Sequence, residues 1–173
     1  MLPIPKPQPS EYAPYASAYI SQLPDDGRVL QHLRDNLAST LTFIRSFPVE
    51  KTGWAHRDGE WTIKEILIHI SDTERIVAYR ALRIARGDET PLAGFEQDGY
   101  VPLSGANARA LESILTEYTA VRNATLALFE SLDEPAWLRQ GTASNNPLSV
   151  RAAAYFIAGH ELHHVASIRE NYA

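Results

Sequence analysis

Cysteine is absent from this 173-residue chain, and methionine occurs once. Without a thiol there is no disulfide framework, cysteine zinc site, iron–sulfur cluster or cysteine nucleophile. Long apolar runs are also missing. No stretch approaches the ~20 residues needed to cross a bilayer. The start, MLPIPKPQPSEYAPYA, has no uninterrupted apolar segment of the kind a secretory signal needs. Cytoplasm is therefore the expected location, with no membrane partner. Basic residues are the minority: 16 Lys and Arg against 21 Asp and Glu give a net charge of -5. That balance argues against a nucleic-acid partner, which needs a basic footprint. What remains is an ordinary soluble composition, with 45% hydrophobic and 21% charged residues. The length suits one domain able to fold without a metal or disulfide staple.

Six of the eleven prolines lie in the first 24 residues. Alternate prolines remove amide donors and favour extended backbone. Residues 1–24 thus read as a proline-rich N-terminal arm, either a loose tail or a strap packed through Tyr12, Tyr15, Tyr19 and Ile20. Residues 25–173 read as the domain proper.

Four amphipathic segments fill that domain. Val29, Leu30, Leu33, Leu37, Leu41 and Ile44 recur at three- and four-residue spacing, predicting a helix from Asp25 or Asp26 to Ser46. A second helix begins at Trp61-Thr62, where Thr62 and Glu65 form a capping box, and stops near Gly87. A third is predicted from Ser104 to Leu132 and a fourth from Ser149 to Asn171. The intervening loop, DETPLAGFEQDGYVPLSGAN, is longer than most connections, with Phe95 and Tyr100 as its anchors. GTASNNPLS reads as a polar link, and strand signal is slight. The fold class is all-α, a four-helix bundle.

Six histidines are then the main candidates for chemistry. His160 and His164 stand one turn apart on the fourth helix, about 40° apart in projection. Two imidazoles so placed can converge on one ion, and His69 on the second helix can supply a third nitrogen. Three neutral imidazoles leave a coordination position open on zinc or nickel, the pattern of a catalytic site. A water or thiol held there is acidified. The competing reading is a set of hydrogen-bonded core histidines. His32, His56 and His163 are expected to be bystanders. His160-Glu161-Leu162-His163-His164 also matches the HExxH of zinc peptidases. The extended form would need Gly at Ser167 and His at Glu170, and both fail. A peptidase is not expected, and whether Glu161 serves bound water stays open.

Two segments, WTIKEILIHISDTERIVAYRALRIARGDETPLAGFEQDGYV and SVRAAAYFIAGHELHHVASIRENY, closely resemble the DinB-like superfamily with its YfiT-type proposed metalloenzymes. The resemblance runs from about residue 28 to 172. Its pattern, a tryptophan-led helix with one histidine and then HxxxH in the last helix, falls on Trp61, His69, His160 and His164. It implies up-down-down-up topology, a homodimer, and one divalent transition metal, zinc or nickel, on those three histidines. Characterised relatives use a low-molecular-weight thiol such as bacillithiol, mycothiol or glutathione in transferase or isomerase reactions on small-molecule substrates. The resemblance therefore implies a metal-dependent, thiol-dependent transferase. The alternatives are a metal-dependent hydrolase using metal-bound water, and a non-catalytic metal- or small-ligand-binding protein. No catalytic or thiol-binding residue is assigned.

Overall fold

A computed structural model describes residues 2–173. After two 3-10 turns at Pro9–Glu11 and Pro14–Ala16, its helices are α1 (Ser17–Ile20), α2 (Val29–Arg45), α3 (Ile63–Ala85), α4 (Gln97–Tyr100), α5 (Leu111–Glu130), α6 (Glu134–Leu138) and α7 (Val150–Tyr172). The long helices α2, α3, α5 and α7 form the four-helix bundle. An antiparallel hairpin, β1 (Gln140–Ala143) with β2 (Asn146–Ser149), leads into α7.

Side-chain contacts give the direction of each long helix. Arg34 pairs with Glu130 and Arg45 with Glu112, so α2 and α5 run antiparallel. Asn36 bonds the carbonyl of Ala158 and Thr40 bonds Glu161, so α2 and α7 run parallel. Lys64 at the start of α3 bonds the Arg109 carbonyl just before α5, and Arg75 further along α3 reaches Glu117, so α3 and α5 run parallel. Tyr172 at the end of α7 bonds the carbonyl of Trp61 before α3, making those two antiparallel. The sequence is up-down-down-up. In cross-section α2 faces α3 across one diagonal and α5 faces α7 across the other, because α3 packs on α5 and α7 while α2 packs on the same two.

Local chemistry explains the helix boundaries. The α3 start is the predicted capping box: the Glu65 amide donates to Thr62 Oγ1 at 3.2 Å, and the Thr62 amide donates to Glu65 at 2.8 Å. Ser149 caps α7 by accepting from the Ala152 amide. The predicted start of α2 at Asp25 or Asp26 is too early. Gly27 takes φ +70° and its carbonyl accepts from the Ile4 amide, so the chain turns there to meet the arm. The third helix starts at Leu111 and not at Ser104. Gly105 sits at φ +64°, Arg109 is extended, and this segment binds the start of α3 through Asn107 to Thr62 and the Arg109 carbonyl to Lys64. The polar link before α7 is the hairpin. Ser144 and Asn145 both have positive φ, the geometry of a two-residue reverse turn between twisted strands.

The arm is packed onto the body. Ile4, Ala13, Ala16, Ile20 and Leu23 are buried in the core. Glu11 makes a bidentate ion pair with Arg151 of α7, and Tyr155 donates to the Ile4 carbonyl. At the tightest crossing, a Cβ on Gly159 would lie 2.1 Å from the Tyr19 carbonyl oxygen. A mid-helix glycine costs roughly 1 kcal/mol relative to alanine, and here it lets α1 lie directly on α7.

Two apolar clusters fill the bundle, one toward each end. Between them is a polar layer that holds His69 and Glu74 from α3, Tyr118 and Arg122 from α5, and His160 and Glu161 from α7, all buried. No helix among the described residues is long and apolar enough to cross a membrane.

Candidate metal centre

The three predicted histidines come together. His69 Nε2 and His164 Nε2 each lie 3.1 Å from His160 Nε2. All three ligand atoms lie within 4.8 Å of one another. Two nitrogens bound tetrahedrally to one ion at 2.0–2.1 Å would stand about 3.3–3.4 Å apart. The donor set therefore fits a single transition-metal ion with little adjustment. Antiparallel packing produces this: α3 carries His69 past the turn of α7 that carries His160 and His164.

The surroundings are apolar and aromatic. Trp61 lies against the His69 ring at 4.9 Å, and Phe156 stacks on His160 at 5.5 Å with planes 16° apart. Tyr19 from the arm meets His160 edge-on. Burial pushes the His69 imidazole down to about 4 and the His164 imidazole to about 3, and holds His160 well below its ordinary value. Asp98 on α4 opposes that shift at His69. At neutral pH all three rings are uncharged, with lone pairs available to a cation.

Among the described residues the other histidines add no nitrogen to this group. His32 pairs with Asp26, His56 packs on Tyr172, and exposed His163 meets Tyr19 and His164 edge-on. A cleft lined by His56, Trp61, His163, Ser167 and Tyr172 opens onto His164.

Glu161 faces away from the histidines, despite standing beside His160 in the chain. One of its oxygens accepts from Thr40 and Tyr118, and the other accepts from Arg122 at 2.7 Å. Arg122 also holds Glu74 with two bonds of 2.9 Å and donates to the Leu33 carbonyl. Burial would lower the Arg122 basicity, but Glu161 and Glu74 raise it above the ordinary value. Burial and the neighbouring Glu161 push the Tyr118 phenol well up, so it remains a donor. Glu161 is thus fully engaged in a closed ionic network, and the literal HExxH match has no peptidase geometry behind it. Trp61 already stands in the motif that carries the family resemblance, and Phe156, Tyr19 and Asp98 are the further surroundings of the site. Spacing alone gives a hint for Phe156, one turn before His160, and none for Tyr19 or Asp98.

Known proteins match this architecture. The chain is 27% identical over 139 residues to a protein of Oceanobacillus iheyensis named "Putative metal-dependent hydrolase", covering 78% of this chain and 76% of that one. YfiT from Bacillus subtilis, described as a probable metal-dependent hydrolase with an unusual four-helix bundle topology, superposes with a TM-score of 0.71 at 18% identity, over 95% of this chain and 90% of its own. A mycothiol-dependent maleylpyruvate isomerase superposes with a TM-score of 0.68 at 12% identity, over 84% of this chain and 61% of its own. At these identities the two superpositions speak for the fold alone. The family profile of the DinB superfamily matches residues 32–168, from within α2 to within α7, and the chain belongs to that superfamily.

Proposed function

We propose that the protein is a metal-dependent enzyme acting on a small molecule, with His69, His160 and His164 holding one divalent transition metal, zinc or nickel. The convergence of three uncharged imidazole nitrogens, from buried His69 and His160 and half-buried His164, with 3.1 Å between neighbours carries this reading. The bound ion would supply a Lewis acid that acidifies a water or a thiol at its open position. Trp61 and Phe156 fix the ring planes of His69 and His160 by packing. Tyr19 and the neighbouring apolar side chains limit water at the buried face. His164, the least buried of the three, borders the cleft through which a substrate arrives.

The first reading of the reaction is transfer or isomerisation dependent on a low-molecular-weight thiol. It is supported by the engagement of Glu161 in the ionic network, which leaves the helix without the glutamate that a peptidase-like hydrolysis uses. An external thiol also suits a chain with no cysteine of its own. Hydrolysis is the second reading, supported by the names of the relatives from Oceanobacillus and Bacillus and by Asp98, a carboxylate near His69.

Elemental analysis of protein purified without a histidine tag tests the metal. About one zinc or nickel per chain is expected, falling at least about tenfold in His69→Ala. No metal after incubation with either ion defeats the proposal. Turnover of an electrophile panel only with added thiol selects the first reading, and thiol-independent hydrolysis selects the second. A metal-loaded protein inert to the whole panel is a metal- or ligand-binding protein.

A further inference from the structure

Arg80, on α3, stands apart from the other arginines held in the fold. Arg34, Arg83, Arg109, Arg122 and Arg151, each buried or half-buried, all face a carboxylate. Arg80 is 6% exposed, and no carboxylate among the described residues pairs with it. Its Nη2 donates to the Ala93 carbonyl at 2.7 Å and to Ser144 Oγ at 2.9 Å. The ring of Phe95 lies 5.5 Å from the guanidinium. Its Nε and Nη1 donate to nothing among the described residues, although a guanidinium carries five N–H groups. A buried cation without an anion is costly, and burial indeed lowers the Arg80 basicity.

Arg80 lines a pocket of about 70 Å³, together with Thr73, Phe95, Leu148, Phe156 and Tyr15 of the arm. Thr73 contributes the second anomaly. It is 3% exposed, and its Oγ1 is buried with no hydrogen-bond partner. An unmet buried hydroxyl is rare enough to need a reason. Thr73 is one turn beyond His69 on α3, and Phe156 is one turn before His160 on α7. The pocket is therefore the next layer of the bundle after the histidine cluster, about one helical turn of 5.4 Å away.

We propose that this pocket receives the carboxylate end of the small-molecule substrate, with Arg80 as its anchor; its role as a substrate subsite rests on reading the histidine cluster as the reaction centre. With Nη2 held by Ala93 and Ser144, Arg80 still offers its Nε–H and Nη1–H as charge-assisted donors to a carboxylate oxygen. The remaining walls are mainly apolar, which suits a short hydrocarbon stem. One cation balances one negative charge, so a monocarboxylate fits better than a doubly charged phosphate. The volume admits a carboxylate and a few carbons. The rest of the substrate would lie toward the histidines.

Titration of the full-length protein with butyrate and with butyramide, at constant ionic strength, tests this. Proton–nitrogen NMR would follow the Arg80 Nε–H and the amides of Thr73 and Phe95. Butyrate should shift them saturably, in the metal-free wild type and in His69→Ala alike. Butyramide should bind at least about tenfold more weakly, because it forfeits the charged hydrogen bonds. Arg80→Met should lose the preference while still melting cooperatively. Leu148→Trp, which fills the pocket from the hairpin and leaves Arg80 in place, should lose butyrate binding as well. Equal binding of acid and amide would overturn the assignment, as would undiminished butyrate binding in both variants. Butyrate binding that needs zinc and vanishes in His69→Ala would place the carboxylate on the metal, overturning the pocket while supporting the metal reading. Butyrate binding in a protein that takes up no metal would support the pocket and defeat the metal reading.

Discussion

His160 and Glu161 are consecutive residues of α7, yet they belong to two different polar clusters. On one side, Glu161, Arg122, Glu74, Tyr118 and Thr40 satisfy each other with opposite charges and matched donors. On the other, three uncharged imidazoles turn nitrogen toward nitrogen. The first cluster is complete. The second brings together three groups of one kind, an arrangement that suits the proposed cation. Burial and polarity alone therefore do not identify a functional site. The distinguishing mark is whether the groups complete one another.

Removing members from each side should break this comparison in opposite ways. The largest expected effect on stability is Arg122→Ala, which strands two buried carboxylates. A loss of about 3–5 kcal/mol in urea unfolding is expected, with metal content unchanged wherever the variant is folded. Next is Gly159→Ala. Helix propensity alone would stabilise by roughly 1 kcal/mol, but the new Cβ meets the Tyr19 carbonyl. Displacing the arm should cost more than that gain, about 1–3 kcal/mol net, with faster proteolysis before residue 24. A melting temperature above wild type would show that the arm does not need this contact.

A smaller effect comes from pH. Burial raises the Glu11 pKa, but the Arg151 hydrogen bond and the Gln8 amide outweigh it, and the carboxyl ends below its ordinary value. A depressed folded pKa means stability that is present above the unfolded value near 4.5 and lost as pH falls through the folded one. Glu11→Gln should therefore be less stable than wild type at pH 7, by about 1 kcal/mol at most, and the two should converge as pH falls below 4.5 through the depressed folded value. The smallest effect on stability is expected for His164→Ala, within about 1 kcal/mol for the metal-free protein because the side chain is partly exposed. Its metal affinity should nevertheless fall more than tenfold, by roughly 10–100-fold or beyond. A variant that unfolds without metal present would place the histidines among the structural groups and erase the contrast with Arg122.

The two clusters also differed in how far they could be read from sequence. His160 and His164 are one turn apart, and the capping box at Thr62 sets the phase of α3, so the triad needed only a bundle to be visible. The long helices were legible from apolar periodicity for the same reason. The partners of Glu161 are 39 to 121 residues away on two other helices, and no local pattern announces them. The HExxH match leaves the role of Glu161 open because it is local, whereas the facing of one residue relative to the next depends on which helix packs on each side. The hairpin was hidden by its brevity and by a turn built from Ser144 and Asn145, neither of them glycine. The docking of the arm turned on Gly159, which in the sequence is only a small residue in a run of small residues.

The diagonal placement of α2 against α3 and of α5 against α7 has a kinetic consequence. In an up-and-down bundle each helix packs on its neighbour in the chain, and folding can begin with a helical hairpin. Here the successive long helices that do touch, α3 and α5, are parallel and separated by a long crossover, while α7 must find α2 from more than a hundred residues away. Nearly every useful contact carries a loop-closure cost before it repays anything. The chain should fold more slowly than an up-and-down bundle of equal length and stability, and the pocket between α3 and α7 should be among the last features to take shape, since its two walls meet only when the final helix is in place.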